Sequence, residues 1–169
     1  IAGSCAVQDS QDHMAVNIRE RWTLDQARTF SGYPVFYLGE EFEGQRPALI
    51  FRTIVGDDAN SVPSVWRDSI SFTYCRCDIN QNSDFGDTLD ELVTPRCNAP
   101  QELIQKYITE RELPPSPIFA GPGGSEVQFY GAAHIWIGEV VVIIAGDTSE
   151  EEQLRAVKAL RAINSPGEA

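Results

Sequence analysis

Five consecutive apolar residues, Val140-Val-Val-Ile-Ile144, run shortly afterwards into Asp147-Thr-Ser-Glu-Glu-Glu152 and then an apolar stripe at Leu154, Val157, Leu160 and Ile163. A strand that is apolar at every position has no face to give to water. It must lie centrally in a sheet and be covered on both sides. The helix after it opens on a cap and three acids, which favour the positive end of the helix dipole. Its stripe, with Ala156 and Ala159 beside it, supplies one cover, and Asn164-Ser-Pro-Gly167 ends it. This strand–helix pair commits the chain to a layered fold with a helix docked on a sheet.

The rest of the chain fills in the sheet. Thr23-Leu-Asp-Gln26 is a capping box, which predicts a short helix over about residues 24–30 that stops at Ser31-Gly32. Pro34–Leu38 and Pro47–Val55 read as strands, separated by an acidic turn region punctuated by Gly39 and Gly44. Asp68–Cys77 alternates, with Ile70, Phe72 and Tyr74 on one side and Ser71, Thr73, Cys75 and Cys77 on the other. Asp78–Pro95 reads as a long polar excursion. Asn98-Ala-Pro-Gln101 offers a helix start before the stripe Leu103, Ile104, Tyr107 and Ile108, although a strand stays open for residues 101–109. Leu113–Ser125, rich in Pro and Gly, reads as an extended crossing, and Glu126–Tyr130, Ala132–Ile137 and Glu139–Ala145 as strands.

The expected fold is therefore α+β: a single domain over residues 21–164, with an N-terminal arm at 1–20 and a tail at 165–169. Its sheet is mainly antiparallel, of about five or six strands, with the C-terminal helix packed on one face. A length of 169 residues suits one such domain. A formal charge of −12 repels phosphate backbones and anionic headgroups, which argues against nucleic acid as a partner. No apolar run approaches the roughly 18–20 residues of a transmembrane helix, so envelope association is expected to be peripheral or through a lipid anchor.

Four cysteines, Cys5, Cys75, Cys77 and Cys97, permit two disulfides. Cys75 and Cys77 stand two apart on one strand face, about 6.5–7 Å from each other, at or beyond the reach of a relaxed bond. The preferred pairing is Cys77 with Cys97, closing the polar loop, which leaves Cys5 for Cys75. A thiolate metal site built on Cys75, Cys77 and Cys97 is the alternative. Ile1-Ala-Gly-Ser-Cys-Ala6 looks like an apolar export segment running into a lipoprotein cleavage box, in which Cys5 would be lipidated; otherwise Cys5 sits in a mature arm and forms a disulfide. Both readings place the chain outside the cytoplasm.

The motifs Tyr33-Pro-Val-Phe-Tyr-Leu-Gly39, Phe42-Glu-Gly44, Tyr74 with Cys77, Cys97-Asn-Ala-Pro100 and the closing strand–helix Val140–Ile163 resemble a group of uncharacterised bacterial exported proteins. The likeness covers about residues 22–164. It implies export and a Cys77–Cys97 bridge, and it carries no catalytic residue. Cys75 departs from the pattern, where a small or polar residue is the expectation.

The sequence carries little recognisable catalytic chemistry. His13 lies in the polar arm, and His134 alternates with Trp136 on a strand, where an imidazole is more often structural than a general base. Nucleophile elbows, phosphate-cradling glycine loops and zinc-protease motifs are absent from the sequence. The sharpest site is the loop 78–87, where Asp78, Asn80, Asn82, Asp84 and Asp87 could curl around a hard cation such as calcium. It is out of register with an EF-hand: Ser83 and Leu89 stand where Gly and Glu belong when the loop starts at Asp78. Asx-turns in a solvated loop account for the same residues. Aromatics at Tyr33, Phe36, Tyr37, Phe42, Trp66, Tyr107, Phe129, Tyr130 and Trp136 exceed what one small sheet face must bury, so they are either sheet core or a partner surface. The expected function is that of an exported, non-enzymatic structural or protein-interaction domain needing no cofactor. A small-ligand or calcium-binding module and an unrecognised enzyme are the alternatives.

Overall fold

Alternation and capping place most of the elements. The computed structural model describes residues 18–54, 68–76, 88–96, 106, 109–112, 118–129, 132–146 and 149–165. In chain order they form β1 (Ile18–Arg21), α1 (Leu24–Thr29), β2 (Phe36–Tyr37), β3 (Arg46–Ile54), β4 (Asp68–Cys75), β5 (Leu89–Pro95), β6 (Phe119–Ala120), β7 (Glu126–Phe129), β8 (Ala133–Ile137), β9 (Val140–Gly146), α2 (Glu150–Ala159) and β10 (Arg161–Ala162). Eight strands make one sheet in the order β1-β3-β4-β5-β9-β8-β7-β6, and every pairing in it is antiparallel. β2 and β10 form a separate two-stranded antiparallel ribbon. β9, the all-apolar strand, lies between β5 and β8 with Val140 to Ile144 buried on both faces. No helix among the described residues is long and apolar enough to cross a membrane.

The main core lies between one sheet face and a layer made by α1, the segment after it and α2. Ile70, Phe72 and Tyr74 of β4 have no exposed surface and point into this core, as the alternation predicts. Val35, Leu38, Ala156 and Val157 close it from the other side. Trp136, Val141 and Ile143 are buried on the reverse face. Tyr33, Tyr37, Phe42 and Trp136 are thus sheet core, and Phe36 and Phe129 pack half-buried against the main core. Trp66, Tyr107 and Tyr130 lie outside the described residues.

α1 carries the expected box. The Thr23 hydroxyl accepts from the Gln26 amide at 3.2 Å, while the Thr23 amide donates to the Gln26 side chain at 2.8 Å. Ser149 caps α2, its hydroxyl accepting from the Glu152 amide at 3.2 Å. Lys106, Thr109 and Glu110 are helical, which favours the helical reading at the end of 101–109; the remaining residues of that stretch, apart from Lys106 and Thr109, are outside the described ones.

Three strands of the sheet lie where the sequence predicts none. β1 falls largely in the expected arm; three of its four residues are charged and all four are exposed, so it has no alternation to read. β5 falls in the expected polar excursion, and its inward positions are Leu89, Glu91 and Val93, a pattern a glutamate interrupts. β6 is a two-residue strand inside the Pro- and Gly-rich crossing. Conversely, the expected strand Pro34–Leu38 shortens to Phe36–Tyr37 and pairs with β10, outside the main sheet. The last helix ends at Ala159, not at Asn164: Leu160 is already extended (φ −57°, ψ 131°). Tertiary contacts explain the stop. Arg161 and Ala162 pair with Tyr37 and Phe36, and the Ile163 amide donates to the Val35 carbonyl at 2.9 Å, while Leu160 and Ile163 still pack on the core.

Candidate functional site

Several polar groups inside this fold hold it together, while among the described residues Gln45 Oε1, Ser125 Oγ, Trp136 Nε1 and both carboxyl oxygens of Glu91 are buried without a hydrogen-bond partner. Asp68, at the start of β4, accepts from the Tyr33 hydroxyl at 3.0 Å and from Arg52 Nη2 at 3.1 Å. The Arg52 guanidinium lies over the Phe30 ring (4.8 Å) and the Trp22 ring (5.5 Å), so its charge is met by one carboxylate and two π-faces. Burial, and then the Asp68 charge, push the Tyr33 hydroxyl far above the ordinary phenol range, which keeps it a donor. The cluster pins the region around α1 to the sheet. Asn164 does the same from the other end of the chain. Its side-chain oxygen accepts from the Val35 amide at 2.7 Å, and its side-chain nitrogen donates to the Phe30 and Tyr33 carbonyls at 2.8 and 2.9 Å.

His134 is likewise structural. Its Nδ1 lies 3.0 Å from the Ala132 carbonyl, which requires Nδ1 to be the protonated nitrogen, and its ring stacks on Trp136 at 6.0 Å between centroids. Desolvation lowers its pKa against the opposing effect of that hydrogen bond, so the imidazole is held neutral.

Glu91 is different. It sits on the core face of β5, directly opposite Phe72 of β4 and Ile144 of β9, with no exposed surface. Among the described residues neither carboxyl oxygen has a hydrogen-bond partner. Desolvation raises its pKa well above the ordinary 4.5, and no compensating charge contributes. Burial in this hydrophobic layer thus favours the neutral acid, which can donate one hydrogen bond and accept others. Sequence reasoning misses this residue. The only available signal is the alternation Leu89, Glu91, Val93, which reads as strand once the glutamate is allowed to face inward.

Residues 36–45, here termed the strap, lie over β4, reaching Phe72, which stands opposite Glu91, and Tyr74. Tyr37 packs its ring on Phe72 at 5.9 Å. The Tyr74 hydroxyl accepts from the Leu38 amide at 3.0 Å and donates to the Gly39 carbonyl at 2.9 Å. Burial first, and then the nearby Glu91, push the Tyr74 hydroxyl well above the phenol range. Gly39 (φ 91°) passes so close to Arg161 that a Cβ there would stand 2.6 Å from the guanidinium. The strap turns back between Phe42 and Gln45, whose amides and carbonyls bond reciprocally at 2.8 Å, through Glu43 (φ 49°) and Gly44 (φ 78°). Outside, it is tied by Arg28 to Glu40, by Arg155 to Glu43 at 2.5 Å, and by Arg76 to the Glu43 carbonyl at 2.9 Å.

Of the residues the sequence singles out, Cys75 is 4 % exposed at the end of β4 and disulfide-bonded, with its partner outside the described residues. Cys5, Cys77, Cys97 and His13 lie outside them, as does the whole calcium candidate Asp78, Asn80, Asn82, Asp84 and Asp87. Among the described residues no group of three or more His, Cys, Asp or Glu is placed to hold a metal ion. No family model matches this chain, and neither a curated protein nor a solved structure matches it.

Proposed function

We propose that this chain works outside the cytoplasm as a non-enzymatic interaction domain, displayed at a bacterial cell envelope or held in a larger extracytoplasmic assembly, with a protein as its partner. The observation that carries the reading is Cys75, a half-cystine buried at the end of a central strand. Disulfides in such positions persist in oxidising compartments. The commitment of Asp68, Asn164 and His134 to holding loops and strands supports a scaffold role over chemistry. The bond preferred for the remaining cysteines is Cys77 with Cys97, which leaves Cys5 for Cys75.

The test combines non-reducing peptide mapping of freshly isolated protein with cross-linking in intact cells. The reading expects a bonded Cys75 and a recurrent protein cross-linked to the chain in the envelope or extracellular fraction. A free Cys75 thiol, or a chain confined to the cytosol, contradicts it.

Glu91 favours a second reading, a small-ligand-binding module. A buried carboxyl with two unpartnered oxygens is a recognition group for a ligand carrying a hydrogen-bond donor within an otherwise apolar body. Such a ligand would raise the melting temperature by mass action. Glu91→Leu would abolish that rise; a rise that survives the substitution places the ligand elsewhere.

A further inference from the structure

Glu91 and the strap together point to a device that goes beyond either reading above. The covers over Glu91 differ greatly in how firmly they are held. On its own sheet it lies between β4 and β9, each joined to β5 over a continuous antiparallel register. The strap enters through a ribbon of only two residue pairs, Arg161 with Tyr37 and Ala162 with Phe36. It is otherwise held by the Tyr74 hydroxyl, by burial of Tyr37, Leu38 and Phe42, by Arg76 on the Glu43 carbonyl and Gln45 on Glu152, and by ion pairs at exposed or half-exposed side chains, Arg28 with Glu40 and Arg155 with Glu43. Pairs of that kind contribute little individually, so the strap is the cover that opens first.

The groups facing Glu91 decide what opening would do. β4 offers Phe72 and the Tyr74 hydroxyl, and β9 offers Ile144. From the strap, Tyr37 packs on Phe72, and β10 places Arg161 against Gly39, within electrostatic reach of Tyr74. From α2 the buried residues are Gln153, Ala156 and Val157, while Glu152 and Arg155 reach outward to Gln45 and Glu43 of the strap. None of these groups bonds the Glu91 carboxyl. With the strap seated, an ionised Glu91 has neither water nor a partner. Lifting it removes Tyr37 from Phe72 and the Leu38 and Gly39 bonds from Tyr74, two β4 neighbours of Glu91.

We propose that the strap is a proton-dependent latch, seated on the core while the Glu91 carboxyl is neutral and released when that carboxyl gives up its proton to solvent. The released state would uncover Tyr37, Leu38 and Phe42, which the seated strap buries. Rising pH thereby exposes an apolar surface that the seated strap hides.

Residue-resolved hydrogen exchange on the intact, disulfide-bonded chain tests this, with rates corrected for the intrinsic effect of pH. The reporters are the Leu38 and Ile163 amides, whose acceptors, the Tyr74 hydroxyl and the Val35 carbonyl, lie across the contacts that opening breaks. Between the unfolded and folded pKa values of one linked carboxyl, the opening equilibrium for these amides should rise about tenfold per pH unit. Amides of β5 and β9 should stay protected over the same range, and Glu91→Gln, which keeps the shape and loses the proton, should make the strap's exchange independent of pH. Glu91→Leu should behave likewise, which guards against a glutamine variant that packs poorly. Strap exchange that does not change with pH in the natural sequence overturns the proposal. So does a rise shared equally by β5 and β9, or one that persists in both variants.

Discussion

Replacing Glu91 by leucine should stabilise this protein, and the gain should grow with pH. The free carboxyl has an ordinary pKa of 4.5, and burial raises it well above that value in the folded chain. A carboxyl whose pKa is higher when folded binds its proton more tightly in the native state. Its contribution is fully present below the unfolded value and is lost as pH rises towards the folded one. Each pH unit in that window costs the natural chain about 1.4 kcal/mol relative to a residue that does not titrate. Leucine is close to glutamate in size and removes two unpartnered oxygens from a site flanked by Phe72 and Ile144. One pH unit above the unfolded value, the gain from lost titration alone should reach about 1.4 kcal/mol, equivalent to about 3–6 °C in melting temperature for a chain of this size. The assay is urea unfolding followed by tryptophan fluorescence, at a series of pH values from about 4 to about 8. The natural chain should lose stability relative to the variant along that series, then run parallel to it above the folded pKa. A natural chain more stable than Glu91→Leu by a constant margin would refute the reasoning, because it would mean that the carboxyl is partnered.

Other substitutions test the scaffold. Asn164→Ala removes three hydrogen bonds to the Phe30–Val35 turn at a buried position and should cost about 2–4 kcal/mol in denaturant unfolding. Tyr74→Phe strands the Leu38 amide and Gly39 carbonyl. It should cost about 1–3 kcal/mol and raise exchange at Leu38 more than in β9. Gly146→Ala sets a Cβ 2.3 Å from the Thr88 carbonyl oxygen at φ 141°, so its melting temperature should fall well below that of an exposed control such as Glu151→Gln, which should shift stability by only a few tenths of a kcal/mol. Reducing the Cys75 disulfide should cost about 2–5 kcal/mol, read as a drop in melting temperature with added thiol.

The strands legible in the sequence are those whose side chains alternate or are uniformly apolar. β4 shows Ile70, Phe72 and Tyr74 on one face, and β9 shows the unbroken Val140–Ile144, and both are where those patterns put them. The Thr23–Gln26 box is equally plain because capping is a local bond between residues three apart. What escapes is set by distant contacts. β1 is an edge strand of exposed charged residues, and its pairing with β3 is written in neither residue type nor period. The early end of α2 at Ala159 follows from Arg161 finding Tyr37, more than a hundred residues away, although Leu160 and Ile163 continue the helical stripe. Glu91 is hidden for the converse reason. In sequence it belongs to an acidic stretch, and only the register of β5 against Phe72 and Ile144 turns it into the core.

The central claim is that the fold keeps one acid, Glu91, neutral and unpartnered in its interior while its other buried polar clusters hold the architecture. The most direct measurement is the side-chain carboxyl carbon shift of Glu91 followed by NMR across a pH titration of the folded chain, assigned by comparison with Glu91→Gln. The account predicts that this resonance stays in the protonated range after the exposed glutamates have moved. A Glu91 resonance that titrates near 4.5 together with the surface carboxylates would contradict it.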